Sequence, residues 1–219
     1  MNKEIVNKIT IRREEQPDQR AVEELTREAF WNVHEPGCTE HFILHNMRRH
    51  RDFVPELSLI AVYEGRPAGH IAYTRGMIAG NDGSSREVLC FGPISVHPDF
   101  QRAGIGGMLI EESAKRAAGL GYEAICIYGD PRYYRKHGFE CSEIYDIRTE
   151  DGMYAVALLV RELKKGALKT LSGRFCESKA FEVDMQEFET YETQFPPKIK
   201  GEQESQKDFQ VLVSLRFSS

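Results

Sequence analysis

The chain has 219 residues, 41% of them hydrophobic, enough for the core of one domain of ordinary size plus an extension. Its net charge of -5 argues against a general nucleic-acid binder and favours cationic small molecules near the surface. The five cysteines, Cys38, Cys90, Cys126, Cys141 and Cys176, are odd in number and lack paired spacing, so free thiols in a reducing compartment are expected rather than a disulfide framework.

Residues Met1 to Ile5 carry no apolar signal region, and the longest apolar run, Tyr154 to Val160, is far too short to span a bilayer. A cytoplasmic protein with no membrane partner is therefore expected. Ile5 to Arg12 reads as a first strand, with Ile9 and Ile11 alternating against polar neighbours until Pro17-Asp18. From Gln19 to Trp31 the positions Ala21, Val22, Leu25, Ala29 and Phe30 keep helical spacing behind Asp18 as N-cap. A second helix is expected from Thr39 to His50, with Phe42, Ile43 and Met47 as its apolar face. His41 and His45 share one face of it, as two metal ligands can, but no further ligand at defined spacing accompanies them and no metal is expected.

Leu57 to Tyr63 and Pro67 to Met77, separated by Glu64-Gly65-Arg66, predict a β-hairpin, and Asn81-Asp82-Gly83-Ser84 marks the next turn. Val88 to Val96 is a further strand broken by Gly92-Pro93. Proline cannot donate a ladder hydrogen bond, so a bulge or an edge is expected there. Gln101-Arg102-Ala103-Gly104-Ile105-Gly106-Gly107 follows, with little side-chain bulk to cover its backbone N–H groups. With the positive end of the helix that begins at Ile105, it reads as a pyrophosphate cradle. Met108, Leu109, Glu112, Ser113, Arg116 and Ala117 mark that helix, and Gly119 and Gly121 stop it. Ala124 to Tyr128 is the next strand, parallel to the previous one because a full helix separates them. Asp130 and Pro131 suit the cap and first position of a short helix. Ile144 to Arg148 and Tyr154 to Val160 are expected to make a final pair of strands around Glu150-Asp151-Gly152.

Two common phosphate loops do not fit. A Walker A loop needs Gly-Lys-Ser/Thr, but Gly106-Gly107 is followed by Met108, and a dinucleotide fingerprint on Gly104 and Gly106 needs a small residue where Leu109 stands. What remains is Gln101-Arg102-x-Gly104-x-Gly106, preceded by Ile94-Ser95-Val96-His97-Pro98 and followed by Tyr134-x-x-x-Gly138-Phe139. This resembles the GNAT superfamily of acyl-CoA-dependent N-acetyltransferases over residues 88 to 139, and flanking elements extend the resemblance to roughly residues 5 to 163.

The resemblance implies an α/β (α+β) fold: a mixed, mostly antiparallel sheet of about six to seven strands with splayed central parallel strands, flanked by about four helices. It makes residues 1–163 the acetyltransferase domain and 164–219 an extension packing on that domain or on a partner subunit. Acetyl-CoA is the implied co-substrate, with no metal. Its pyrophosphate would meet Gln101, Arg102, Ala103, Gly104, Ile105, Gly106 and Gly107, and its pantetheine arm the backbone of Ile94, Ser95 and Val96. Tyr134 stands where many members donate a proton to the departing sulfur, and Glu87 roughly where some place a carboxylate, with a water relay as the alternative base. The segment between the first two helices borders the acceptor pocket in this family, which makes His34, Glu35, Glu40 and His41 candidate pocket residues. Cys90, in an apolar strand with no histidine placed beside it, reads as inert packing, so direct transfer is expected.

Beyond Leu163 the composition shifts. Val183 to Tyr191 places Met185, Phe188 and Tyr191 on one helical face, and Ser205-Gln206-Lys207-Asp208 resembles a capping box before Phe209, Leu212 and Val213. Residues 177–192 hold six acids against Lys179 alone, a local charge of -5, either a solvated face or a pocket wall that attracts a cationic acceptor. Two functions stay open: transfer of an acetyl group from acetyl-CoA to a primary amine of a small molecule or peptide, and a non-catalytic acyl-CoA-binding regulatory module. Tyr134 favours the first, since a pure binder needs no proton donor at the sulfur. No nucleic-acid partner is expected, and a homodimer is left open.

Overall fold

A computed structural model describes residues 3–169 and 171–218. A one-turn helix, α1 (Lys3–Val6), leads into β1 (Ile9–Arg13), followed by α2 (Gln19–Phe30) and α3 (Glu40–Met47). Asp18, expected to cap α2, instead accepts from Arg12 (2.6 and 2.8 Å) and from the Glu15 N–H (2.9 Å). β2 (Leu59–Tyr63) pairs antiparallel with β1 and turns through Glu64 and Gly65, both at positive φ, into β3 (Arg66–Gly80). Two left-handed residues in a two-residue turn match the twist of a hairpin.

β3 pairs with β4 (Ser85–Val96), but the register slips: Ile71 opposes Ile94, whereas Tyr73 opposes Phe91. The extra residue lies on β4 at Gly92-Pro93, where the sequence predicts a bulge. α4 (Ile105–Gly119) packs Leu109, Ile110, Ala114 and Ala117 over Leu59, Ala61, Tyr73 and Leu89 on one face of the sheet. On the opposite face Val22 of α2 and Leu44 and Met47 of α3 cover Ile60 and Ala72. A buried ionic cluster fastens these layers: Arg48 holds Glu14 (2.5 Å) and Glu23 (2.6 Å), and Ser58 donates to Glu14 (2.7 Å). Burial pushes the Glu14 carboxyl up, but His70 and Arg48 beside it outweigh that and bring it down to about 2.

After α4 come β5 (Ala124–Tyr128), α5 (Pro131–Tyr134), β6 (Glu140–Cys141), β7 (Ile147–Arg148), β8 (Tyr154–Ala155) and β9 (Leu158–Glu162). β5 runs parallel to β4 with Leu89 and Ile125 as registered partners, and the two strands part beyond that point. β9 pairs antiparallel with both β5 and β6. The extension adds β10 (Gly173–Cys176), α6 (Met185–Glu192), α7 (Glu204–Ser214) and β11 (Arg216–Phe217). The expected final pair over residues 144–160 does not form, because its strands find other partners. β7 pairs with β10 and β8 with β11, while the Val156 N–H donates to the Leu215 carbonyl (3.0 Å).

Among the described residues the main sheet thus has nine strands, in the order β1-β2-β3-β4-β5-β9-β6 with β10 joined to β3 and β7. It is wider than the six or seven expected because short strands and the extension add to it. The seven helices among the described residues likewise exceed the expected four, α1 and α5 being four residues each. The fold is otherwise the mixed, mostly antiparallel architecture expected. Among the described residues no helix is long and apolar enough to cross a membrane.

The extension is fastened by buried polar contacts. Arg27 of α2 is 3% exposed and pairs with Glu192, also donating to the Pro196 carbonyl (3.1 Å). Asp184 caps α6, and Phe188 and Tyr191 pack with Phe42 and Phe195, whereas Met185 is exposed. The expected capping box of α7 does not form: Ser205 donates to the Val33 carbonyl (2.9 Å), and buried Gln206 donates to the Asn32 (3.0 Å) and Gly201 (2.9 Å) carbonyls. α7 is thereby pinned to the loop after α2.

Candidate active site

The glycine loop is anchored by side chains and open at its backbone. Ala103 and Ile105 are buried, while Arg102 and Gly104 lie at φ of 60° and 101°, a conformation glycine adopts without cost. The first bond into α4 runs from the Met108 N–H to the Gly104 carbonyl (3.1 Å). The amides of Ile105, Gly106 and Gly107 precede it and have no acceptor among the described residues. Three free donors with the helix dipole behind them suit an anion. Side chains close over this turn: a Cβ at Gly106 would stand 2.8 Å from the Tyr133 hydroxyl, and one at Gly107 2.8 Å from the His137 ring. The Gln101 side-chain amide donates to the Val96 carbonyl (3.2 Å), joining loop to strand.

On β4 the His97 N–H donates to the Ala68 carbonyl (3.0 Å). Alternation therefore turns the backbone of Ser95 toward β3 and those of Ile94 and Val96 toward the gap beside β5. Ser95 does not face the gap as expected, and its hydroxyl is buried against Thr26 of α2 (3.1 Å).

Tyr134, at the end of α5, packs its ring on Phe91 and Phe139, with centroids 5.9 and 5.6 Å away, and on Tyr133 at 4.9 Å. Burial raises its phenol pKa well above the ordinary value, with smaller pushes from Tyr133, Cys90 and Asp130. The hydroxyl therefore keeps its proton through the neutral range. Gly129 makes room for this ring: a Cβ there would lie 2.3 Å from it.

Tyr134 lines a cleft of about 560 Å³ bounded by the bulged half of β4, the end of α2, the start of α3, α5 and one face of α7. His34 and Glu40 meet in it (Nδ1 to Oε1, 3.1 Å), and His34 stacks on Phe209 of α7 with centroids 4.2 Å apart. Glu35 and His41, the other candidate pocket residues, lie elsewhere. Glu35 is exposed and accepts from the Thr39 hydroxyl (3.5 Å). His41 is buried, with Nε2 on Glu192 (2.9 Å) and Nδ1 beside the Cys38 sulfur (3.6 Å), whereas His45 meets Glu23 (3.0 Å).

Glu87 does not reach the cleft. It sits four residues before Phe91, roughly 13 Å along a strand, opposite Met77 and 4.0 Å from Arg75, and lines a separate depression with Gly121 and Tyr122. The strand begins at Ser85 rather than Val88, which carries Glu87 along the sheet away from the bulge. Cys90 is fully buried, which pushes its thiol well above the ordinary range, and it donates to Glu177 (3.6 Å). Half of the acids in this stretch are used in structure, Glu177, the Asp184 cap and Glu192, and Phe181 is its residue at the cleft. The wall on that side comes instead from α7, whose apolar face the sequence displayed without showing what it covers.

Residues 55–141 match the family described as Acetyltransferase (GNAT) domain. Over 87 residues the chain is 38% identical to the uncharacterized N-acetyltransferase YjhQ of Escherichia coli K12, a match covering 39% of this chain and 47%, about half, of that relative. It is 26% identical to the uncharacterized N-acetyltransferase YhbS of the same organism, over 60% of this chain and 76% of the relative. The crystal structure of E. coli YhbS in complex with CoA shares the fold, with a TM-score of 0.70 at 23% identity over 80% of this chain and 92% of that one. A GNAT family acetyltransferase from Brucella melitensis in complex with acetyl-CoA superposes with a TM-score of 0.63 at 27% identity, over 80% of this chain and 98% of the other. The matched segment spans both the free amides opening α4 and the tyrosine closing the cleft, so motif, fold and relatives converge on the GNAT acetyltransferase domain that residues 55–141 match.

Proposed function

We propose that the protein is a cytoplasmic enzyme that transfers an acetyl group from acetyl-CoA directly to a primary amine of a small molecule or peptide. The observation that carries this reading is Tyr134, a protonated phenol placed in a cleft beside the parted strands, on the segment that follows the glycine turn. The residues present fit the co-substrate. Free amides at Ile105, Gly106 and Gly107 receive its pyrophosphate, and the outward backbone of Ile94 and Val96 its extended arm, once the Gln101 side chain releases the Val96 carbonyl. Gln101, Arg102, Ala103 and Gly104 shape the turn that aims those amides. Residues 1–163 form the catalytic unit, and 164–219 are an extension that closes its acceptor side.

Acetyl-CoA supplies an acyl carbon already activated as a thioester. Transfer forms the nitrogen–carbon bond and breaks the carbon–sulfur bond, so one proton must leave the attacking nitrogen and one must reach the sulfur. A water relay takes the first out to solvent, and the Tyr134 hydroxyl gives the second and is restored by solvent. With Cys90 buried as a neutral thiol, no acyl group passes through the protein.

Tyr134→Phe keeps the ring and removes the proton. Acetyl-CoA affinity should hold while kcat falls by on the order of ten- to a thousandfold, less at low pH where solvent protonates the thiolate. Wild-type kcat from about pH 6 to 9 would remove Tyr134 from the mechanism and leave a binding module as the better reading.

A further inference from the structure

We propose that the acceptor is a small lipophilic primary amine, with its apolar body against α7 and its ammonium drawn by Glu40 and Asp208; this rests on the acetyltransferase reading and names the substrate class of that same cleft. The acceptor side is walled by hydrocarbon and aromatic groups, with Phe30 from α2, Ile43 from α3, and Phe209, Leu212 and Val213 from α7. Phe209, Leu212 and Val213 stand three and four positions apart, so they form one continuous apolar stripe of the helix. The charges in this lining are few and unbalanced. Asp130 is paired with Arg132 (2.7 Å), the single Lys or Arg side chain of the lining, which leaves Glu40 and Asp208 in excess. Glu40 meets the imidazole of His34 and accepts from the Thr39 N–H (3.1 Å), and among the described residues neither Glu40 nor Asp208 has a Lys or Arg within ion-pair distance. Apolar walls with surplus carboxylate select a cation on a greasy body and disfavour both a polycation, whose further charges would be stripped of water, and a neutral polar amine. A cleft of about 560 Å³ that also takes the acetyl end of the co-substrate suits a small molecule rather than a folded or extended protein segment.

The test uses the full chain with acetyl-CoA and follows CoA release with n-propylamine, n-butylamine, n-pentylamine, n-hexylamine, phenethylamine and spermidine, while calorimetry measures acetyl-CoA binding separately. kcat/KM should rise roughly fourfold per methylene from propyl to hexyl, and hexylamine and phenethylamine should exceed spermidine. Phe209→Ala should lower kcat/KM for hexylamine by about tenfold and for propylamine by much less, and Asp208→Asn should raise the KM of every amine by roughly two- to fivefold. Both should leave the KM for acetyl-CoA unchanged. A flat alkyl series, a preference for spermidine, or no turnover of any alkylamine by a protein that binds acetyl-CoA would overturn the acceptor class and spare the cofactor reading. Failure to bind acetyl-CoA at all would instead remove the reading beneath it.

Discussion

Gly129→Ala isolates how the fold aims the Tyr134 hydroxyl. The backbone at Gly129 lies outside the left-handed region, so alanine meets no conformational strain there, and the methyl group acts only through what it touches. It would stand 2.3 and 2.7 Å from two carbons of the Tyr134 ring. Ordinary carbon contacts lie near 3.5 Å, so the ring must retreat by about 1 Å. Phe91 and Phe139, both buried, back the ring and prevent retreat into the core, which sends the hydroxyl out along the cleft. Overpacking of this kind costs about 1–3 kcal/mol, a melting temperature lower by roughly 2–12 °C in a chain of this size. Displacement of a catalytic group by about 1 Å costs up to roughly a hundredfold in rate. We expect kcat to drop by one to two orders of magnitude with acetyl-CoA affinity retained. The decisive measurement is kcat for Gly129→Ala, Tyr134→Phe and the double variant. If both act through one hydroxyl, the double variant should be no slower than the slower single. Wild-type kcat for a folded Gly129→Ala protein, or fully additive losses, would refute the idea that Gly129 positions this tyrosine.

Gly106→Val places a branched side chain against the Tyr133 hydroxyl and over the free amides, so calorimetry should show acetyl-CoA affinity reduced by about tenfold or more with the circular dichroism spectrum intact; unchanged affinity would exclude the turn as the pyrophosphate site. Glu192→Ala removes the carboxylate that balances buried Arg27 and His41, which should cost on the order of 3–5 kcal/mol in urea unfolding; a loss below about 1 kcal/mol would show that water compensates that guanidinium. Glu14 has a folded pKa near 2 against an ordinary 4.5, so its contribution is present above pH 4.5 and is lost as pH falls through about 2. The stability advantage of wild type over Glu14→Gln, up to about 3 kcal/mol at neutral pH, should therefore shrink between pH 5 and 2; a gap independent of pH would contradict the buried ionic cluster as its source.

The parts of the fold legible in the sequence are those whose cause is local. Glu64-Gly65 makes the first hairpin because two consecutive residues take positive φ, Gly92-Pro93 breaks a strand ladder wherever it falls, and the glycines from 104 to 107 open a helix N-terminus whatever lies around them. The site residues that were misplaced depend on distance. Glu87 lies on the right strand, but nothing local says how far that strand runs before its bulge. His34, Glu35, Glu40 and His41 fall on one short segment of chain, yet the turn between α2 and α3 sends two into the cleft, one to solvent and one into the contact with Glu192. The stripe of Phe209, Leu212 and Val213 is visible by its spacing, but its partner is a cleft built far earlier in the chain. Gly129 is a close approach between a backbone and a ring, which no pattern of residue types displays.

The single extra residue in β4 also reverses the phase of the strand. Before the bulge, Leu89 and Phe91 join the core beneath α4, while Val88 and Cys90 look toward the opposite layer. After it, Ile94 and Val96 take the α4 side, and Ser95 turns to Thr26 of α2. Odd and even positions have exchanged roles within one strand. Deleting one residue between Phe91 and Ile94 would restore regular alternation, with Phe91 still opposite Tyr73 and Ile94 still opposite Ile71 on the α4 side, but it would erase the bulge at which the ladder slips. Chain length can vary in the turn at residues 81–84 without touching the bulge, whereas at Gly92-Pro93 the count of residues decides whether there is a bulge at all.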